Sequence, residues 1–179
     1  LSRQIAHAPN FWNRQKLSLG NTDCMMALAN CYDRGEGTEQ DYQQSFAWYT
    51  KAAEAGNSIG MFHTAVCYEK GEGVEQDLSK AFEYYKRSAE AGYDLGMYNL
   101  AMCYLMGTGT EPDQYKAFEW TQKLADTGNT FGMYNLGLMY QRGFGTEENP
   151  ELAYYWYRKA ADAGDADGAY MSGWCLENG

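Results

Sequence analysis

Glycine recurs along this chain with a period of 36 residues. Fourteen of the 20 glycines fall into three columns of that spacing, which begin at Gly20, Gly35 and Gly37, and the other six fall into two further columns. A period of this length is typical of a solenoid, in which one supersecondary unit is copied head to tail and packs on its neighbours. The sequence therefore predicts stacked repeats rather than a fold built around one central core.

Each 36-residue unit contains two helical patterns separated by a Gly-x-Gly turn. In the unit that begins at Gly56, Asn57 or Ser58 is suited to cap the first helix, Gly71 to end it and Asp77 to cap the second. Pro150 follows the corresponding cap in a later unit, at the first helical position, where proline is tolerated. No strand pattern competes, so the predicted fold is all-α, with helix-turn-helix repeats.

The first helix of each unit has three faces when its residues are placed at 100° intervals. One face is apolar and carries nearly the same residues in every unit. A second face carries small residues, such as Gly60 and Cys67, which predicts close helix packing. The third face varies most and is apolar throughout the third unit. Since the other two faces are already buried, an apolar third face is exposed unless a partner covers it.

This third face predicts a partner-binding groove from the second unit onwards. Its aromatic members have a second interpretation, which is that they pack on the adjacent repeat. The predicted groove residues are Ile59, Phe62, Val66, Leu95, Tyr98, Met102, Leu105, Met106, Phe131, Tyr134, Leu138, Tyr170 and Trp174.

Motifs for catalysis, metal binding and cofactor binding are missing from the sequence. It has no P-loop, His-Glu-x-x-His, Cys-x-x-Cys or Ser-x-x-Lys, and His7 and His63 are its only histidines. The column of His63 also holds alanine and asparagine, which indicates an ordinary helix-surface position. We therefore expect no enzyme activity, no cofactor and no metal site.

Net charge and hydropathy limit the classes of partner that we expect this chain to bind. The formal net charge of −10 disfavours binding to phosphate backbones, so no nucleic-acid partner is expected. No run of 18 apolar residues occurs, so no membrane insertion is expected. A protein or peptide partner remains.

The cysteines are predicted to be unpaired, buried small residues. Column neighbours should lie roughly 8–10 Å apart, beyond the reach of a disulfide. Unpaired cysteines favour a reducing, cytoplasmic compartment. A secreted or periplasmic location stays open, because the chain begins at Leu1 and is expected to be a processed or excised piece. The five are Cys24, Cys31, Cys67, Cys103 and Cys175.

The segment 132–145, followed by Ala153, Trp156, Lys159-Ala160-Ala161 and Gly164, resembles the SEL-one-like repeat, a relative of the tetratricopeptide repeat. The resemblance implies a right-handed α/α superhelix whose first helices line the concave side. No disulfide pairs like those of cysteine-rich family members are found, and Lys123-Leu124-Ala125 departs from Lys-Ala-Ala. The repeats predicted as one solenoid domain are 20–55, 56–91, 92–127 and 128–163, preceded by a second helix in 1–19 and followed by a first helix in 164–179.

The leading functional hypothesis is a non-catalytic scaffold or adaptor that binds a peptide or helix of a partner protein in its concave groove. The alternative is a structural segment of a longer array, which acts in assembly or self-association through the uncovered helix in 164–179. True terminal repeats usually present a polar outer face, whereas this helix carries Trp174 and Leu176.

Overall fold

A computed structural model of the chain describes residues 21–178. The helix predicted in 1–19, together with Gly20 and Gly179, lies outside the described residues. The chain divides between Ala91 and Gly92 into two compact units, called unit 1 and unit 2. Within residues 21–178 every regular element is an α-helix, so the predicted all-α helical-repeat class is confirmed.

The helices form consecutive hairpins, and each helix has 13 residues. Odd-numbered helices come first in each hairpin and are called A helices, and even-numbered helices are called B helices. Unit 1 contains α1 (Thr22–Arg34), α2 (Tyr42–Glu54), α3 (Ser58–Lys70) and α4 (Leu78–Glu90). Unit 2 contains α5 (Asp94–Met106), α6 (Gln114–Asp126), α7 (Thr130–Arg142), α8 (Pro150–Asp162) and α9 (Ala166–Asn178). Repeats 1 to 4 are the successive A and B pairs from α1/α2 to α7/α8.

Side-chain caps begin the helices where the sequence predicts them. Asn57 Oδ1 accepts from the Gly60 amide at 2.8 Å at the start of α3, and Asp77 Oδ1 accepts from the Lys80 amide at 2.9 Å at the start of α4. Such a cap contributes about 1 kcal/mol. α5 is an exception because Tyr93 at its cap position forms no side-chain cap bond.

The Gly-x-Gly turns depend on positive φ angles. Gly71 ends α3 with φ +74°, and its amide donates to the Cys67 carbonyl at 2.8 Å. Gly145 has φ +67°, and a Cβ on it would overlap the Gln114 carbonyl oxygen. Any side chain there would be strained as well as overlapped, so the close approach of the turn to α6 requires glycine.

The core of each unit forms where hairpins pack on each other. In unit 1, Ala29, Tyr49 and Cys67 form a buried cluster. In unit 2 the buried cluster includes Leu136 and Trp156, with Phe118, Tyr134 and Tyr140 packed against it. The small face of the A helices permits this packing: a Cβ on Gly60 would lie 2.9 Å from Ala52 Cβ.

The cysteines are all free, but only Cys67 and Cys103 are buried. The expectation of burial was wrong for Cys24, Cys31 and Cys175, which are partly exposed. They lie on α1 and α9, and within the described residues each of these helices packs mainly against one neighbouring helix. No helix in the described part of the chain is long and apolar enough to span a membrane.

Candidate functional site

None of the 13 predicted groove residues is buried. In unit 1, Ile59 is exposed, Val66 is half-buried, and the Phe62 ring packs 5.8 Å from that of Tyr85. The other ten lie on α5, α7 and α9 of unit 2. Four of them line one pocket, namely Tyr98, Met102, Leu105 and Leu138.

This pocket lies between α5, α6 and α7 and has a volume of about 170 Å³. A cavity of about 150 Å³ accommodates a molecule the size of benzene, so the pocket can hold one large apolar side chain. We call it the α5–α7 pocket. It is lined by Tyr98, Ala101, Met102, Leu105, Ala117, Thr121, Leu124, Asn135, Leu138, Met139, Arg142 and Phe144.

The pocket coincides with the absence of one tyrosine from the B helices. Tyr49, Tyr85 and Tyr157 occupy equivalent positions in repeats 1, 2 and 4, and none is more than 2% exposed. In repeat 3 this position holds Thr121, whose hydroxyl donates to the Ala117 carbonyl at 2.8 Å. Since protein interiors are close-packed, replacing a buried ring by a threonine leaves space for the pocket.

The polar partner of the missing tyrosine is also replaced. Tyr85 Oη donates to Glu69 Oε2 at 2.6 Å, and Tyr157 Oη donates to Gln141 Oε1 at 2.7 Å. The residue of α5 that corresponds to Glu69 and Gln141 is Leu105, which lines the pocket and is 38% exposed. Repeat 3 has thus exchanged a hydrogen-bonded pair for an apolar opening.

The aromatic members of the predicted groove take part in packing as well. Tyr134 packs against Tyr157 of its own repeat, with ring centroids 5.8 Å apart. Tyr98 has no such tyrosine in repeat 3, and its ring lies 5.1 Å from that of Phe131 on the next A helix. Tyr98 therefore packs on the adjacent repeat, as the second interpretation predicts, and also lines the pocket, whereas the ring contact of Tyr134 lies within its own repeat.

The remaining predicted residues of unit 2 lie outside the pocket lining. Leu95, Met106 and Phe131 are exposed on α5 and α7, at 48%, 69% and 48%. On α9, Tyr170 is 71% exposed and Trp174 is also exposed. These side chains extend the apolar surface of unit 2 beyond the pocket.

Among the described residues that line the pocket, Arg142 alone is charged. Of the other polar lining residues, Thr121 donates to its own helix, and Asn135 Nδ2 donates to the Phe131 carbonyl at 2.7 Å. No described carboxylate forms an ion pair with Arg142. The pocket therefore combines apolar walls with one exposed cation.

The groove prediction missed Phe144 and Thr121, although signals for both are present in the repeat. Phe144 stands where Glu36 and Glu72 stand in repeats 1 and 2. Thr121 stands at a position that holds tyrosine in repeats 1, 2 and 4. The sequence shows that Leu124 departs from the alanine of the Lys-Ala-Ala pattern, but it does not show that this side chain lines the pocket.

Burial shifts the pKa of several groups outside the pocket. It raises the pKa of Tyr157 and that of the Cys67 thiol, the latter to about 12. Desolvation lowers the pKa of His63, while Asp33 opposes this change. The expectation of a surface histidine was wrong, because His63 is half-buried and stacks on Tyr49 with ring centroids 4.5 Å apart. Among the described residues, no three His, Cys, Asp or Glu side chains converge into a group that could hold a metal ion.

The sequence matches the Sel1 repeat family over residues 22–57, 58–93, 94–129 and 130–165. Each match begins at the first residue of an A helix, and together they cover most of the chain. A comparison with curated protein sequences found no match.

Solved structures of other repeat proteins are similar to this one. A protective antigen from uropathogenic Escherichia coli that displays an SLR fold is 36% identical, with a TM-score of 0.83 over 90% of this chain and 34% of that chain. A Sel1 repeat protein from Oxalobacter formigenes is 26% identical, with a TM-score of 0.83 over 88% of this chain and 65% of that one. Cysteine-rich protein B of Helicobacter pylori, at 22% identity and a TM-score of 0.58 over 74% of this chain and 95% of that one, shares the fold. The chain thus spans about a third of the E. coli antigen and just under two thirds of the Oxalobacter protein.

Proposed function

Because this chain belongs to the Sel1 repeat family, we propose that it is a non-catalytic scaffold that binds a segment of a partner protein through the α5–α7 pocket. Sel1 repeat proteins generally act as protein-interaction scaffolds, and their fold is generally non-catalytic. The net charge of −10 favours a protein partner over a nucleic acid. The pocket supplies the place at which one large side chain of the partner is held.

The observation that carries this proposal is the exchange of a tyrosine and its polar partner for Thr121 and Leu105. Unfilled apolar volume costs free energy, at about 24 cal/mol per Å³ for a closed cavity. The α5–α7 pocket is open to solvent, so only part of this cost applies to the unbound chain. An apolar side chain that enters it restores the packing that the tyrosine provides in the other repeats.

The surface beside the pocket suits a segment rather than a single side chain. Leu95 and Met106 are eleven positions apart on α5, which corresponds to about 16 Å along a helix. Both are exposed, as is Phe131 on α7. Three turns of an amphipathic helix, or an extended stretch of about five residues, have that length. Such a segment would place one anchor in the pocket and further apolar residues along α5 and α7.

The experiment is a selection of random peptides displayed on phage against the chain. We expect the enriched peptides to share a large apolar residue. Thr121→Tyr, which fills the pocket, should weaken binding of a selected peptide by about tenfold or more, since burying a large apolar side chain contributes about 1.5–3 kcal/mol.

The matched control is Thr38→Tyr, the same substitution at an exposed turn of unit 1, which should leave the affinity unchanged. Met102→Ser removes part of the pocket wall without filling the space, and it should also weaken binding. The proposal fails if no peptide is enriched, or if Thr121→Tyr and Met102→Ser both bind as the wild type does.

A second candidate function, assembly through α9, is favoured by one observation. A Cβ added to Gly137 in α7 would meet the Tyr157 ring of α8 at 2.7 Å, whereas a Cβ on the equivalent Gly173 in α9 would meet nothing within 4 Å. Leu176 is 70% exposed on α9. Among residues 21–178, nothing covers this face of α9 as α8 covers the corresponding face of α7.

Sedimentation equilibrium tests this second candidate. If α9 mediates assembly, the wild-type chain will show a mass that rises with concentration, and Leu176→Lys will remain a monomer. A wild-type chain that stays monomeric at every concentration contradicts it.

A further inference from the structure

The turns after α1 and α3, the two A helices of unit 1, share a charge pattern. Arg34, the last residue of α1, lies 3.7 Å from Glu36, and Lys70, the last residue of α3, lies 3.9 Å from Glu72. In both cases the cation and the acid are separated by the glycine that ends the helix. Exposed pairs of this kind contribute little to stability, but each supplies its cation with a carboxylate.

Repeat 4 keeps the cation and lacks the acid. Arg142 ends α7, and Phe144 stands where the glutamate stands in repeats 1 and 2. Both side chains line the α5–α7 pocket, and no described carboxylate pairs with Arg142. The substitution therefore adds an apolar wall to the pocket and leaves its guanidinium available at the opening.

Resting on the proposed function, the geometry points to a partner of defined chemistry: a peptide segment whose apolar anchor is accompanied by an aspartate or glutamate side chain, which pairs with Arg142. A guanidinium offers a fork of N–H donors that matches a carboxylate in geometry. The neighbouring apolar side chains lower the local dielectric constant, so this pair is stronger than one in open solvent.

The carboxylate belongs to a side chain within the segment and not to a chain end. Exposed apolar residues lie on α5, which precedes α7 in unit 2, and on α9, which follows it, at Leu95 and Tyr170. Since the exposed apolar residues continue on helices before and after α7, a bound segment extends beyond its anchor, and its α-carboxylate would then lie away from the guanidinium.

Because the chain is acidic overall, we expect the preference for an acidic residue only near Arg142. With 24 acidic and 14 basic residues the surface repels acidic segments in general. An acid beside the apolar anchor is favoured only because Arg142 lies there and forms no ion pair with a described carboxylate. Raising the salt concentration should therefore weaken the preference for the acid while the apolar anchor is retained.

The test extends the peptide selection to three forms of the chain in parallel: wild type, Arg142→Glu and Arg158→Gln. Arg158 is a matched control, because it is an exposed arginine of unit 2 that pairs with Asp162 and does not line the pocket. Wild type and Arg158→Gln should enrich an aspartate or glutamate at a fixed spacing from the apolar anchor. Arg142→Glu should enrich lysine or arginine at the same spacing.

Calorimetry on one selected peptide then measures the pair directly. Neutralising the peptide acid, or Arg142→Gln, should each weaken binding about fivefold, as expected for the upper range of exposed pairs. The two changes together should weaken binding no further than either alone. Amidating the peptide C-terminus should have no effect.

The outcomes separate the two proposals. Peptides with an apolar anchor but no charge preference would overturn the role of Arg142 and leave the pocket as the binding site. Affinity that depends on a free C-terminal carboxylate would also overturn it. No enriched peptide on any form would remove the proposed function and this inference together.

Discussion

Thr121→Tyr tests whether the pocket is the space that a tyrosine occupies in the other repeats. The new ring would enter a space of about 170 Å³. At about 24 cal/mol per Å³ a closed cavity of that size would be worth about 4 kcal/mol. Because the pocket is open to solvent, only part of this is available, and we expect the ring to contribute about 1–2 kcal/mol.

The hydroxyl of the new tyrosine decides how much of that gain is kept. Leu105 stands where Glu69 and Gln141 accept from the tyrosines of repeats 2 and 4. A buried hydroxyl without a partner costs about 1–3 kcal/mol, so Thr121→Tyr alone should change the free energy of unfolding by less than about 1 kcal/mol. Adding Leu105→Gln should then stabilise the chain to about 2 kcal/mol above wild type, with a coupling energy of at least about 1 kcal/mol between the two sites.

Urea denaturation followed by tryptophan fluorescence measures these differences. Leu105→Gln alone and Thr38→Tyr serve as controls, and neither should stabilise the chain. Leu124 is larger than Ala52, Ser88 and Ala160 at the same position, so the series ends by adding Leu124→Ala, which removes steric overlap with the new ring. If the double variant and this triple variant are both less stable than wild type, the pocket is not a vacant tyrosine position and the reasoning is refuted.

Three further outcomes are expected. Burial lowers the pKa of His63, so the folded chain binds fewer protons than the unfolded chain as pH falls below about 6.5 and becomes less stable. Between pH 7.5 and pH 5.5 the melting temperature of the wild type should therefore fall more than that of His63→Gln. Equal falls in melting temperature would contradict this. Gly145→Ala should lower the free energy of unfolding by more than about 2 kcal/mol, because φ is positive there and the new Cβ would overlap Gln114. Gly128→Ala should lower it by about 1 kcal/mol, because φ is also positive but the space around it is open. Equal decreases for the two variants would count against the overlap. The Cys67 thiol has its pKa raised to about 12, so at pH 8 about one in 10⁴ is thiolate, and mass spectrometry should find it alkylated by iodoacetamide far more slowly than Cys24.

The repeat architecture could be predicted from the sequence because each of its signals acts locally. Asn57 and Asp77 cap helices through their own side chains, and Gly71 ends a helix through a φ angle that other residues rarely adopt. These effects depend on the nearest few residues. The 36-residue spacing then repeats them along the chain, which is why the all-α helical-repeat class could be predicted.

The candidate site could be predicted only in outline. The variable face of the A helices drew attention to Met102, Leu105 and Leu138, all of which line the pocket. The pocket itself is lined by side chains from three helices and a turn. It exists because α6 has Thr121 at the position that holds a tyrosine in α2, α4 and α8. The meaning of Thr121 became clear only when the buried positions of Tyr85 and Tyr157 were known.

The sequence by itself determined that this chain is a series of helical hairpins, because caps, glycines and periodicity are encoded within each 36-residue copy. The tertiary structure decided which sequence differences between copies open a pocket on the surface. Whether Thr121 leaves an opening, and whether Arg142 finds a carboxylate, depends on what neighbouring helices and turns bring to the same place. Such distances between residues far apart in the chain are set by packing and cannot be read from one copy alone.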